Sequence, residues 1–406
     1  MISKNGSFKE IPIVLSSSDE YSIYIPVLLN ALKENANQDC QYNIYVLDSG
    51  ISDGSKTVVS AYVATLGNFS IHYIDVDYYV QKYKDLWFIC AHFSVATYVR
   101  FFMPELLPEL DKVLFLDLDI VVEGDISELY DIDIGDNAIG AAVDACYERE
   151  TYYDKDGLVE YNKNVVRYPL EYKAFNAGVL IVNLKKWREL NITEKCIQRL
   201  AEIKTPRVLD QCILNSLFCN GLVYELPAQW NYQWHADVKS IKYPTTSQKM
   251  NEVIESYQNA KSNPKIIHYT TPTKPWNIYC EPLPMRNGYV LDVALASFWW
   301  RYAPKTPFYE KIIMRNILIS EENLRKLING KNDEISKLSQ AVDRLYYLYG
   351  SAAKEKVCLL GALKIREYQD TKLFYLLGIK IGKRVKDNEY KSVYLFNIPI
   401  YKKKLK

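Results

Sequence analysis

Short apolar runs and longer mixed segments take turns along the chain from Ile11 onward. Ile11-Pro12-Ile13-Val14-Leu15 reads as a strand and runs into Ser16-Ser17-Ser18-Asp19. That polar cluster suits the start of a helix carrying Ile25, Leu28, Leu29 and Leu32. Further strands are predicted over 42–48, 71–76, 113–116, 138–144 and 175–184, with a turn at Asp53-Gly54. A helix is predicted from Ser94 to Phe102 and another near Asp210, carrying Leu214 and Leu217; Ile266-Ile267 reads as a short strand. Strand and helix in alternation predict an α/β domain built on a mixed, mostly parallel central sheet. Ligands of such sheets gather outside the carboxyl ends of the strands.

The texture changes after about Pro304. The pattern divides the chain into a body over 1–303, a helical extension over 304–350 and a basic aromatic tail over 351–406. The extension carries an apolar seam at Leu324, Ile328, Ile335, Leu338, Val342, Leu345 and Tyr349, interrupted at Gly330 and Lys331. So short a heptad run leaves two readings open, a coiled coil that joins two copies and a helix hairpin packed on the body. In the tail, Tyr375-Leu376-Leu377-Gly378-Ile379-Lys380-Ile381 returns nineteen residues later as Tyr394-Leu395-Phe396-Asn397-Ile398-Pro399-Ile400.

Of 406 residues, 49% are hydrophobic, enough for a sizeable core. Lys plus Arg (50) nearly balances Asp plus Glu (49), which excludes a generic nucleic-acid binder. The balance hides an asymmetry, because residues 361–406 hold twelve Lys and Arg against four Asp and Glu. Lysines beside aromatic and aliphatic residues suit an anionic membrane surface; the solvated face of a satellite subdomain is the plainer alternative. The eight cysteines are scattered without a close pair and read as small buried hydrophobes in a reducing compartment. Met1 to Gly6 holds no signal-peptide core, and no apolar stretch nears the ~18 residues that span a bilayer. The protein is thus expected in the cytoplasm, peripheral on the inner face of the plasma membrane.

The candidate chemistry lies at Asp117 and Asp119, which follow the apolar run Val113-Leu114-Phe115-Leu116 with one leucine between them. Burying two unpaired carboxylates is costly, so they either sit at the exposed end of the strand or face a cation. Oxygen ligands on a short tether suit a hard divalent ion that leaves room for substrate phosphates.

Five segments in this order resemble the retaining glycosyltransferases of family 8, the glycogenin and lipopolysaccharide galactosyltransferase type. They are Lys112 to Asp119, Phe175-Asn176-Ala177-Gly178-Val179-Leu180, Asp210-Gln211, His268-Tyr269 and Lys274-Pro275-Trp276. The resemblance covers roughly residues 11 to 280 and implies a GT-A-type nucleotide-sugar-binding fold. It implies that Asp117, Asp119 and His268 hold Mn2+ or Mg2+. It further implies donor contacts from Ser16, Ser18, Arg100, Asp117, Leu118 and Asp144, and from Asn176, Ala177, Thr271 and Lys274. Thr271 stands where members often carry glycine, and Ser18 where they often carry aspartate. Asp210 and Gln211 are the candidate catalytic groups beside the donor sugar, with helix capping the alternative for Asp210. Trp230, Trp234 and Trp276 are candidates to stack on an acceptor sugar.

The implied activity is metal-dependent transfer of glucose or galactose from a UDP-sugar to a bacterial surface glycan such as lipopolysaccharide or capsule. A haloacid-dehalogenase-like phosphatase also ends a strand in Asp-x-Asp, but near its amino terminus and with a Gly-Thr-like pair where Ile120-Val121 stand here. A non-enzymatic nucleotide-sugar scaffold joined through the Leu324 to Tyr349 seam is the other rival.

Overall fold

The computed structural model describes residues 8–89, 94–234, 244–271, 274–276 and 293–316, together with the backbone of six strands between 354 and 404. The chain divides into two units, one of residues 1–278 and 283–312, the other of residues 279–282 and 313–406.

The first unit is built on a seven-stranded sheet. Its strands are β1 (Lys9–Ser17), β2 (Cys40–Asp48), β3 (Phe69–Asp75), β4 (Lys112–Leu116), β6 (Ile139–Val143), β7 (Phe175–Asn183) and β8 (Val223–Leu226), in the order β3-β2-β1-β4-β7-β6-β8. Pairs β1–β2, β2–β3, β1–β4 and β6–β8 are parallel; β7 runs antiparallel to both β4 and β6. The sheet is therefore mixed and mostly parallel, as the alternation predicts. A smaller sheet orders β5 (Ile120–Val122), β10 (Ile266–His268) and β9 (Tyr232–Gln233), with β10 in the middle.

Side chains of a strand alternate between faces, so β4 feeds two cores. Leu114 and Leu116 join the core with Ile11, Ile13 and Leu15 of β1 and the helix Ile25–Glu34. Val113 and Phe115 join the other, with Leu180 and Val182 of β7 and the helix Leu209–Phe218. All four β4 residues are fully buried. Each such side chain contributes about 1.5–3 kcal/mol by leaving water. Five cysteines among the described residues (40, 146, 196, 212 and 219) are buried and free.

Several expectations change. Asp53-Gly54 is the first turn of a helix, Asp53–Val63, because Ser52 caps it by accepting from Ser55 N–H at 3.3 Å. The helix expected over 94–102 is two short 3-10 turns, Val95–Thr97 and Val99–Phe102, followed by a helical turn at Met103–Leu106. β-Branched Val95, Thr97 and Val99 disfavour a continuous helix there, and Arg100 Nε turns back onto Thr97 O at 3.1 Å. The body reaches past residue 303, since Phe308 and Ile312 pack into the same core as Trp299 and Tyr302. The Leu324 to Tyr349 seam lies outside the described residues.

The tail forms an antiparallel six-stranded meander, β11 (Lys354–Val357), β12 (Leu363–Tyr368), β13 (Thr371–Leu376), β14 (Ile379–Lys386), β15 (Tyr390–Leu395) and β16 (Ile398–Lys404). The two sequence repeats fall at equivalent hairpins. Leu376 pairs with Ile379 in one, and Leu395 with Ile398 in the other. Among the described residues, no helix is long and apolar enough to cross a membrane.

Ile312 is fully buried and Met314 is 55% exposed. Ile312→Ala is expected to cost about 2–5 kcal/mol and Met314→Ala under ~0.5 kcal/mol, measured by urea unfolding. Equal effects of the two changes would contradict the packing of this segment on the body.

Candidate active site

The Asp-Leu-Asp segment is where the chain changes sheets. β4 ends at Leu116 and β5 begins at Ile120, so residues 117–119 cross from the large sheet to the small one. Asp117 N–H still donates to Gly178 O of β7 at 2.8 Å, while Asp119 O accepts from Tyr269 N–H at 2.9 Å. His268 ends β10 and pairs in register with Ile120. One carboxylate is thereby anchored to each sheet, and the imidazole arrives beside them.

Ligand atoms of Asp117, Asp119 and His268 lie within 4.8 Å of one another. His268 Nε2 is 3.2 Å from Asp119 Oδ1 and 3.8 Å from Asp117 Oδ2. Gly178 makes room for this convergence. A Cβ on it would come 2.1 Å from His268 Cε1 and 2.6 Å from Asp117 Oδ2. Two carboxylate oxygens and one imidazole nitrogen are a donor set that fits a divalent cation such as Mn2+.

Two cations compensate the acids. The Arg100 guanidinium lies 2.8 Å from Asp117 Oδ1 and 3.1 Å from Asp210 Oδ2, donates to Ala177 O at 2.5 Å and stacks over the Phe115 ring. Burial opposes its charge, but the Asp210 and Asp117 carboxylates more than compensate. Lys274 Nζ donates to Asp119 Oδ2 at 2.6 Å and to Tyr269 O at 2.7 Å. Burial would raise the Asp119 carboxyl; Lys274 and His268 outweigh it and hold the group well below the usual carboxylate range. Asp210 is no helix cap. It follows Leu209 inside the helix, accepts from Thr97 Oγ1 at 2.6 Å, and burial pushes its carboxyl up.

A chain of amides adjoins the acids. Asn176 Nδ2 lies 3.2 Å from both Asp144 Oδ2 and Gln211 Oε1, and Gln211 Nε2 donates to Asp144 Oδ2 at 2.9 Å. Ala177 N–H donates to Gln211 Oε1 at 3.2 Å. Asp144 also caps the helix Ala145–Tyr152 by accepting from Tyr147 N–H. Asn231 donates to Asn176 Oδ1 and contacts His268 Nδ1, both at 2.9 Å, so the amide chain reaches the acidic cluster.

The remaining predicted positions are less uniform. Ser16 Oγ donates to Ala96 O at 2.5 Å, and Ser18 precedes the helical turn Asp19–Ser22 without a side-chain capping bond. Leu118 has its side chain in the core. Thr271 Oγ1 accepts from Trp234 Nε1 at 3.1 Å. The three tryptophans are core residues rather than an exposed sugar platform. Trp276 stacks on Tyr24 with centroids 4.0 Å apart, Trp234 meets Tyr269 edge-on, and Trp230 lies under Lys265 Nζ, all nearly buried. Sequence reading missed Thr97 and Asn231. Nothing in Gln229-Trp230-Asn231-Tyr232 marks the asparagine out, because its partners are 37 and 55 residues away.

Three comparisons bear on this arrangement. The model of a family described as Glycosyl transferase family 8 matches residues 12–280. General stress protein A of Bacillus subtilis is 28% identical over 270 residues, which cover 65% of this chain and 87% of that protein. The lipopolysaccharide 1,3-galactosyltransferase of Salmonella typhimurium is 31% identical over 193 residues, covering 46% of this chain and 50% of that protein, about half its length. Among solved structures, the galactosyltransferase LgtC, in complex with donor and acceptor sugar analogues, superposes with a TM-score of 0.58. It is 28% identical and covers 73% of this chain and 96% of that one. The family match overrides the phosphatase reading of Asp-x-Asp.

Gly178→Ala is expected to lower stability by about 1–3 kcal/mol in urea unfolding, since the added methyl displaces His268 and Asp117. A neutral effect would show that the two ligands are not packed against this glycine.

Proposed function

The chain belongs to glycosyl transferase family 8, and from that premise we propose a metal-dependent, retaining hexosyltransferase that uses a UDP-sugar. The observation that carries the proposal is the convergence of Asp117, Asp119 and His268 at the exit of the central strand of a GT-A fold. A bound divalent cation supplies neutralisation of the charge that grows on the departing diphosphate. Asp117, Asp119 and His268 would hold that ion.

Other residues of the chain divide the rest of the work. Arg100 aims the Asp117 side chain through its contact to Oδ1 and also meets Asp210. Lys274 balances Asp119 and is the compact cation read as a phosphate contact. Asp144, Asn176 and Gln211 present hydrogen-bonding groups on the sugar side, held in orientation by one another. Ser16, near the end of β1, and Ser18, just after it, take the nucleoside side. Leu118, Ala177 and Thr271 are read as further donor contacts.

A glucose or galactose donor and a lipopolysaccharide or capsule acceptor are the specific reading; likeness to the Salmonella lipopolysaccharide 1,3-galactosyltransferase supports galactose and lipopolysaccharide. We also place the meander of the second unit against an anionic membrane. Its register pairs Lys372 with Arg384, Lys386 with Lys391, and Lys391 with Lys403. Basic residues gathered in this meander suit anionic lipid.

Asp117→Ala should lose about 100-fold or more of UDP release and sugar transfer in a donor panel with Mn2+, while keeping its circular dichroism spectrum. Chelator should produce the same loss in the unaltered protein. Full turnover by Asp117→Ala would remove the metal assignment. For the second unit, the protein should co-sediment with phosphatidylglycerol vesicles and not with phosphatidylcholine ones. The triple change Lys386→Gln, Lys391→Gln, Lys403→Gln should weaken that binding; equal binding to both vesicle types would refute the electrostatic reading.

A further inference from the structure

The amide chain beside the acidic cluster fixes where the protons lie, and its end point is the imidazole. Gly178 N–H donates to Asn176 Oδ1 at 3.0 Å. A backbone N–H only donates, so the Asn176 atom it meets is the oxygen. At the other end of the same amide, Asn176 Nδ2 faces the Asp144 carboxylate at 3.2 Å, which only accepts. These two neighbours agree on one orientation of Asn176. Asn231 meets that oxygen at 2.9 Å and therefore presents its amino group there. Its own oxygen is then the atom 2.9 Å from His268 Nδ1. An amide oxygen accepts only, so Nδ1 carries a hydrogen. The lone pair of the neutral ring is left on Nε2, the nitrogen that faces Asp119 and Asp117.

Asn231 is well placed for this. It is completely buried, at the end of the 3-10 turn Ala228–Asn231, and its backbone carbonyl accepts from the Tyr257 hydroxyl at 3.3 Å. Tyr257 is buried too, and its hydroxyl also lies 3.2 Å from Val143 O. The amide can neither turn freely nor exchange its partners for water. A histidine that binds a metal needs its second nitrogen held by such a partner, which sets the tautomer and the ring plane.

We propose that Asn231 is a positioning residue that locks His268 as the Nδ1–H tautomer, with Nε2 free to ligate a divalent cation. Through Asn176 it ties the ring orientation to the groups on the sugar side of the site. This inference rests on the metal reading given above, but the tautomer itself is a property of the metal-free protein.

The test uses the full chain labelled with 15N-histidine. The protein has four histidines, so the His268 signals are assigned by their loss in His268→Gln. In long-range 1H–15N spectra of the metal-free protein, His268 should show a protonated Nδ1. Asn231→Asp, which keeps an acceptor at this position, should retain that pattern. Asn231→Leu should lose it and weaken Mn2+ binding about 10–100-fold, read by electron paramagnetic resonance of the free ion. A bare Nδ1 in the unaltered protein would overturn the proposal even if Asn231→Leu failed to fold. An unchanged tautomer and Mn2+ affinity in a folded Asn231→Leu would also overturn it. Asp117→Ala serves as the separate control. If it binds Mn2+ as tightly as the unaltered protein, the metal reading fails, while the tautomer result still judges Asn231.

Discussion

Negative charge gathered at the end of a buried strand must be balanced, and the first unit is arranged around that requirement. Asp117 and Asp119 lie partly exposed at the exit of β4, and Asp210 lies buried beside Arg100. Arg100 spans Asp117 and Asp210, and Lys274 meets Asp119. Removing one partner from such a set leaves a buried charge uncompensated, which costs far more than the pair contributes. The cluster is therefore rigid in composition even before any ligand arrives. The same balance explains its chemistry, because a site that holds acids and bases a few ångströms apart can accept a cation and an anion together.

Geometry follows from the two sheets. Because β4 runs into β5 through only three residues, Asp117 and Asp119 cannot drift apart, and β10 brings His268 to them by pairing with β5. β7 supplies Gly178 where no side chain fits, and the neighbouring Asn176 begins the amide chain toward Asp144 and Gln211. Diphosphate and sugar ends of a donor would thus meet residues from the same few strands. That economy is a reason for a GT-A fold to carry its ligands at strand ends.

Much of this was legible in the order of residues. Strong apolar runs with short-range periodicity, such as Val113 to Leu116 and Phe175 to Leu184, located strands whose burial depends on their own side chains. Asp117, Asp119, His268, Arg100 and Lys274 were singled out from the sequence, and they do come together in space. What escaped was non-local. Whether Ser94 to Phe102 forms one helix depends on Arg100 reaching across to β4, and no local propensity encodes that. Trp230, Trp234 and Trp276 looked like a sugar platform because aromatic residues serve both core and ligand; here the core claims them. The end of the body was set near Pro304, where the texture changes, yet Phe308 and Ile312 beyond it pack into the same core. Asn231 gave no signal at all, since its meaning lies in His268 and Asn176.

The most direct test of the central claim is anomalous diffraction from crystals grown with Mn2+ and UDP. One manganese peak is expected, bound by Asp117, Asp119 and His268 Nε2 and completed by diphosphate oxygens. UDP bound with no metal at these three side chains, or manganese held elsewhere in the cleft, would contradict it.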